Sequence, residues 1–308
     1  MSAADSPSPA GADWIRGGRG NSPRLGWSFV AEGALTALTL ARESGEVLIA
    51  DDTGILCKLD RLGRIAALTR LHEPVRSLSW SDDGRGGAAI CGEATVHYFN
   101  HVLQSQWKLE SLEVPLTVAV APFGSHLLVT CADGSNRIYD ANKKRLALFE
   151  TIRPLAFAQF IAAEPGLIAA AEHGLICRHR LSGEQVWSDK LWSNVGALAI
   201  SGDGGLIFLA SFTHGVQVYD GAGETVGSYL LEGTVSRVDV SYEAQRIAAA
   251  TIERTLYWLD ADGELLWSTT PPDGVEAIRC DPLGEWIICG LKCGRVFRLD
   301  WGGARPPA

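Results

Sequence analysis

The sequence predicts an all-β fold, a seven-bladed β-propeller of four-stranded antiparallel blades, closed by an N-terminal strand that completes the last blade. Three observations carry that expectation. A turn residue recurs in steps of forty, at Asp60, Asn100, Asp140, Arg180, Asp220, Asp260 and Asp300, each time ending an apolar-alternating run. An apolar partner keeps the same step at Leu38, Leu78, Val118, Ala158, Leu198, Val238 and Ile278. Tryptophan stands at one phase at Trp107, Trp187 and Trp267, and Trp27 falls at that phase before the first unit has begun. A unit of this size cannot bury its own apolar faces, so a fixed period of about 20 to 50 residues means stacked units.

Along the chain, residues 1–23 are rich in Ser, Ala, Gly and Pro and read as a flexible N-terminal tail without the apolar core of a signal peptide. Within it, Trp14-Ile15-Arg16 reads either as a short docking motif or as stray apolar residues in a disordered leader. The propeller is expected over 24–302, followed by a C-terminal tail, 303–308. The fifth unit shows how each is built. Val195–Ile200 is a short apolar strand, Ser201-Gly202-Asp203-Gly204-Gly205 a turn, and Leu206–Ser211 a second strand. Thr213-His214-Gly215 turns the chain into the alternating Val216-Gln217-Val218-Tyr219, and Asp220-Gly221-Ala222-Gly223 turns it again into a fourth strand near 225–230. No stretch keeps a helical period, and turn clusters recur about every 8 to 12 residues, the all-β pattern. The last unit ends at Asp300-Trp301, one strand short. Gly26-Trp27-Ser28 matches Leu266-Trp267-Ser268, so the N-terminal segment is expected to supply the missing strand and close the ring.

Bulk composition narrows the function. Apolar content of 46% with 20% charged residues suits a packed core. A net charge of -9 argues against nucleic acid as the partner, because that affinity comes from Lys and Arg neutralising phosphates. No run of about 18 apolar residues exists, so no membrane span is expected. The seven cysteines have no paired spacing, and they read as buried, reduced fillers of strands in a reducing, cytoplasmic setting. Cys289 and Cys293 could flank a hairpin turn, but two thiols alone make a poor zinc site.

Two segments carry a resemblance. Ala132-Asp133-Gly134-Ser135-Asn136-Arg137-Ile138-Tyr139-Asp140 and His72-Glu73-Pro74-Val75-Arg76-Ser77-Leu78-Ser79-Trp80-Ser81-Asp82-Asp83-Gly84 look like pieces of WD-repeat units. Tyr-Asp or Leu-Asp stands in place of Trp-Asp, and His72 alone stands where that family's Gly-His pair would put a histidine. The fourth strand, as in Leu259-Asp260-Ala261-Asp262-Gly263-Glu264-Leu265-Leu266-Trp267, resembles the repeat of quinoprotein-type propellers. Both imply one architecture. They imply different functions: an interaction scaffold on the one hand, a cofactor-binding enzyme on the other.

Catalytic chemistry is hard to find. The repeated Asp is expected to close its own turn, since an Asp side chain accepts from the backbone two residues on. The in-phase tryptophans are expected to anchor one blade on the next. His173 and His214 share a turn position, and a metal there would need a third ligand such as Glu172 or Glu253; they are read as solvated turn histidines. No cofactor and no metal is expected. The short loops leave the surface as the working part. The turns entering each first strand carry Glu32, Glu73, Glu113, Glu232 and Asp273 against Arg153, and those between second and third strands carry Asp51, Asp52, Glu93, Asp133, Glu172 and Glu253 against Arg254 and Lys292. That is eleven acids to three bases on one rim. Such a ring favours a basic partner, mainly through association rate. Trp192, off the phase of the packing tryptophans, is a candidate anchor. Arg76, Arg237, Asp239, Glu276 and Arg279 lie on or beside first strands and are expected to line the channel, in part as paired charges. The sequence is thus read as a non-enzymatic scaffold that binds a protein or peptide through Glu73, Glu113, Glu172, Trp192, Glu232 and Glu253. The alternative is a quinoprotein-like or other cofactor-binding propeller enzyme.

Overall fold

Period-two alternation turns one side chain to each flank of a strand, and in a stacked sheet both flanks meet a neighbour. The middle strands show it: Val47–Asp51 and Ile55–Leu59 are buried at every position. The computed structural model describes residues 12–110 and 113–302. Over them the chain forms seven antiparallel sheets. The first blade runs outward in sequence order through Leu35–Leu40, Val47–Asp51, Ile55–Leu59 and Ile65–Arg70. The innermost strands of the others are Val75–Trp80, Pro115–Val120, Phe157–Phe160, Val195–Ile200, Val235–Val240 and Val275–Cys280. These strands touch in cyclic order, and the last touches the first. The fold is all-β, seven blades of four strands in a ring.

The seam is the one expected. Arg24–Val30 pairs antiparallel with Arg295–Asp300, with Trp27 opposite Arg298, and so becomes the outer strand of the seventh blade. The core consists of layers between blades. Leu38, Ile49 and Cys57 of the first blade pack with Ala277, Ile288 and Val296 of the seventh across this seam, and comparable layers fill the other junctions.

Two repeated devices explain the forty-residue step. In five of the seven blades the polar residue at the end of the third strand closes its turn: one Asp60 oxygen accepts from the backbone N–H of Leu62 and Arg64 at 2.9 and 3.0 Å. Asp140, Asp220, Asp260 and Asn100 do the same in their blades. The fourth-strand aromatic then locks onto that turn in the following blade. Trp27 Nε1 donates to the Arg61 carbonyl, Trp107 Nε1 to Ala141 and Trp187 Nε1 to Gly221, at 3.1, 2.9 and 3.0 Å. Tyr229 makes the same link to Ala261 through its hydroxyl, at 2.7 Å. Glycine is required beneath such a ring: Gly223 has φ +89, and a Cβ there would come within 2.9 Å of the Trp187 ring.

Trp267 departs from its phase-mates. It is fully buried, and its Nε1 has no hydrogen-bond partner among the described residues. The leader covers it. From Ala12 onward the segment expected to be flexible as far as Pro23 packs on the body, which corrects that boundary. Asp13–Arg16 forms a short helix, and Arg19–Gly20 adds a fifth strand to the sixth blade. Ile15 is buried, Trp14 meets Phe297 edge-on at 5.4 Å, and the Trp14 carbonyl accepts from Thr269 Oγ1. Trp14-Ile15 is thus a docking motif toward its own chain, filling the cleft between the sixth and seventh blades. A Gly- and Ser-rich composition hid it, although glycine is needed there: a Cβ on Gly18 would lie 2.3 Å from Trp267 Nε1. Residues 1–11 and 303–308, the outer parts of the two expected tails, lie outside the described residues. Six cysteines are buried, as read from the sequence, while Cys293 is exposed, because it sits in a hairpin turn.

Candidate interaction face and central channel

The two ends of the ring are built differently. The turns joining first to second strands draw together around one end of the channel. Backbone N–H groups of one blade donate to carbonyls of the next: Glu43 and Ser44 to Asp82, Asp83 to Pro122, Ala162 and Ala163 to Gly202, Gly202 to Tyr242, and Tyr242 to Pro282. Within these turns the side chains are also committed, as where Ser201 Oγ donates to Asp203 at 2.6 Å and accepts from Leu206 N–H at 2.9 Å.

Across this end runs a network of charges. Arg42 of the first blade meets Asp239 of the sixth at 3.0 Å, with both side chains buried. Tyr242 of the sixth donates its hydroxyl to Asp82 of the second at 2.8 Å, and Arg42 lies over the Tyr242 ring at 5.4 Å. Burial raises the Asp82 carboxyl above its ordinary value, against the pull of Arg42 and the Tyr242 hydroxyl. For Arg42, burial acts downward, and Asp239 with Asp82 outweighs it, so the guanidinium is held more firmly protonated. This end is closed. The channel residues read from the sequence pair in part: Arg237 bonds Glu276 at 3.2 Å, whereas Arg76 donates to the backbone carbonyls of Gly92, Glu93 and Pro115. Sequence reading missed Arg42, Asp82 and Tyr242. Their shared phase was a usable signal, because Pro122, Ala162, Gly202 and Pro282 fill the same position elsewhere.

The opposite rim, made by the entry turns and the turns between second and third strands, leaves its side chains outward. Glu73, Glu113, Glu172, Trp192, Glu232 and Glu253 are all exposed there. They are spread around the ring and do not form one cluster. The acid count needs correction. Asp51 is buried and accepts from the N–H groups of Gly33, Thr53 and Ile55, so it caps a turn from inside. Asp52 and Asp133 likewise bond their local backbone, at Ala34 and Ser135. Glu32 is paired with Arg70, and Glu253 accepts from Thr234 N–H, which lowers its carboxyl below the ordinary value.

What charge counting missed is apolar. Ile152, Trp192 and Leu230 are 86%, 85% and 81% exposed, the three most exposed large apolar side chains among the described residues. They stand in the entry turns of the fourth, fifth and sixth blades. Phe212 and Ile252 are exposed in neighbouring turns of the same rim. Lys190 lies over the Trp192 ring at 4.4 Å. The signal was present as isoleucine, tryptophan and leucine in turns where Gly, Pro and polar residues are usual.

His173 and His214 each bond within the rim turns, Nδ1 of the first to Asn194 Oδ1 at 2.8 Å and Nδ1 of the second to Thr213 Oγ1 at 2.7 Å. Among the described residues no group of three or more His, Cys, Asp or Glu side chains is placed to hold a metal. None of the described helices is long and apolar enough to cross a membrane.

No protein-family model and no curated protein matches the sequence. Among solved structures, the chain is similar to the β-propeller domain of Cps50 (Swd1) from Myceliophteria thermophila, with a TM-score of 0.78 and 14% identity over 90% of this chain and 99% of that one. At that identity the likeness concerns the fold. The chain is a seven-bladed β-propeller.

Proposed function

We propose that the protein is a non-enzymatic interaction scaffold that binds a protein or peptide partner on the rim of entry turns, with Trp192 as the anchor. One observation carries the reading: the three most exposed large apolar side chains stand at the entry turns of three consecutive blades, on one face. A chain that buries apolar groups at every blade junction has no structural use for them there, and exposed apolar groups set in a polar rim mark contact surfaces. Tryptophan is the residue most enriched at energetically dominant contact positions. Glu172, Glu232 and Glu253 lie in or beside the same three blades, and with Glu73 and Glu113 they favour a segment that carries basic residues beside apolar ones. The WD-repeat-like fold supports this reading, and a cytoplasmic setting fits it.

The test starts from the protein that copurifies with the tagged full-length chain, identified and then produced pure. Its Kd is measured against wild type, Trp192→Ala and Leu283→Ala, the last an exposed apolar residue on the closed rim. Trp192→Ala is expected to weaken binding by about 2 kcal/mol or more, a factor of about thirty, and Leu283→Ala to leave it unchanged. Equal Kd values for wild type and Trp192→Ala would remove Trp192 as the anchor.

A further inference from the structure

Seven first-strand residues share one phase of the repeat: Thr39, Ser79, Ala119, Gln159, Ala199, Asp239 and Arg279. Three of them do one job. Ser79 Oγ accepts from Val120 N–H, Gln159 Oε1 from Ile200 N–H and Asp239 Oδ2 from Cys280 N–H, each bonding the next blade at 2.9, 3.2 and 2.8 Å. Arginine cannot take that part, because a guanidinium has only donors. Arg279 uses one, Nη1 to its own strand's Ile278 carbonyl at 2.7 Å, and among the described residues no carboxylate lies within ion-pair distance of it. The nearest acid is already spent: Asp239 gives one oxygen to Arg42 and the other to Cys280 N–H.

The charges around it are numerically balanced, but most are already matched with one another. The channel is lined by the guanidinium groups of Arg42, Arg76, Arg237 and Arg279. The carboxylates on or beside the lining are Asp82, Asp239 and Glu276, with Glu172 at the mouth. Arg42 is matched with Asp239, Arg237 with Glu276, and Asp82 with the Tyr242 hydroxyl. Arg279 lines both sections of the channel, a pocket of about 200 Å³ toward the closed end and one of about 580 Å³ toward the open mouth. Burial, reinforced by Arg42 and Arg237, lowers its pKa against the pull of Asp239.

We propose that the waist of the channel at Arg279 is a binding site for one oxyanion, a carboxylate or phosphate group on a small molecule that enters through the open mouth. The planar guanidinium offers its free donors to two oxygens at once, and the anion supplies the counter-charge that Arg279 lacks. This site is independent of the rim.

The experiment is thermal unfolding of the full chain at constant ionic strength, titrated with inorganic phosphate and, separately, with succinate, for wild type and Arg279→Gln. Wild type should show a saturable rise in Tm with at least one of the two. In Arg279→Gln the half-saturating concentration should rise about tenfold or more. Without anion, Arg279→Gln should melt no lower than wild type, because it loses an uncompensated buried charge. A non-saturating response shared by both proteins, or no response to either anion, would overturn the site. So would an anion-free Arg279→Gln that melts well below wild type, since Arg279 would then serve the fold.

Discussion

The two rims are made by equivalent turns of the same seven blades, yet one commits most of its turns to the next blade and the other fewer, as where Val195 N–H donates to the Glu172 carbonyl and His173 bonds Asn194. At the closed end, backbone donors reach the next blade, Ser201 and Asp203 satisfy their own turn, and Arg42, Asp239, Tyr242 and Asp82 tie blades across the channel. At the open end the turns are as short, but Ile152, Trp192 and Leu230 point away from every blade. The rim with fewer such ties leaves more side chains outward, and there the most exposed apolar groups among the described residues stand. Substitutions at the closed end should therefore register in stability, and those at the open end in binding.

The largest expected effect is at Asp239. Asp239→Ala leaves Arg42 buried without its partner and takes away the acceptor of Cys280 N–H, so it should cost about 3–5 kcal/mol in urea unfolding. A loss below about 1 kcal/mol would show that the cross-channel charges do not hold that end.

The body between the rims supplies a pH reference. Burial, with Lys108 opposite, lowers His97 from 6.5 to about 4, and its Nδ1 has no partner, as suits a neutral ring. Because the folded value lies below the unfolded one, the stability from His97 is complete above pH 6.5 and is lost as pH falls toward 4. His179, also lowered by burial, acts with the same sign. Asp82 and Asp281, raised by burial, act with the opposite sign in acid. His97→Phe, which keeps the ring stacked on Phe99, should flatten the fall in Tm between pH 6.5 and 4. An unaltered profile would assign the acid sensitivity elsewhere.

Smaller is the gain at Lys143, which holds φ 70 at the turn position that Gly63, Gly223 and Gly263 fill in other blades. Lys143→Gly relieves that strain at the loss of one exposed hydrogen bond to the Lys108 carbonyl, and a rise of about 0.5 kcal/mol is expected by chemical denaturation. Smallest is the stability effect of Trp192→Ala, within about 0.5 kcal/mol, because the indole is exposed. A large loss there would make Trp192 a packing residue and erase the contrast between the rims.

The ring was legible because its devices repeat. An Asp that closes a turn and a tryptophan that caps the next one recur every forty or eighty residues, so Trp27 announced the seam from a segment far from the blade it completes. What does not repeat stayed hidden. The cross-channel pairs join residues about 160 and 197 apart through side chains that occur once each. The leader looked flexible because Gly18 and Gly20 read as linker, whereas they let the chain lie against Trp267. On the rim, charge was visible residue by residue, but Asp51 looked like a surface acid until its three backbone donors were seen. Trp192 stood out by breaking phase. Ile152 and Leu230 did not, because one apolar residue in a turn carries no periodic signal.

Hydrogen–deuterium exchange of the purified complex against the free protein tests most directly whether the open rim is the working face. Protection on binding should fall in the entry turns around 151–154, 190–194 and 230–234, and the closed-end turns at 121–125, 201–205 and 241–245 should exchange as before. Protection centred on the closed-end turns, with Trp192 and its neighbours unchanged, would contradict it.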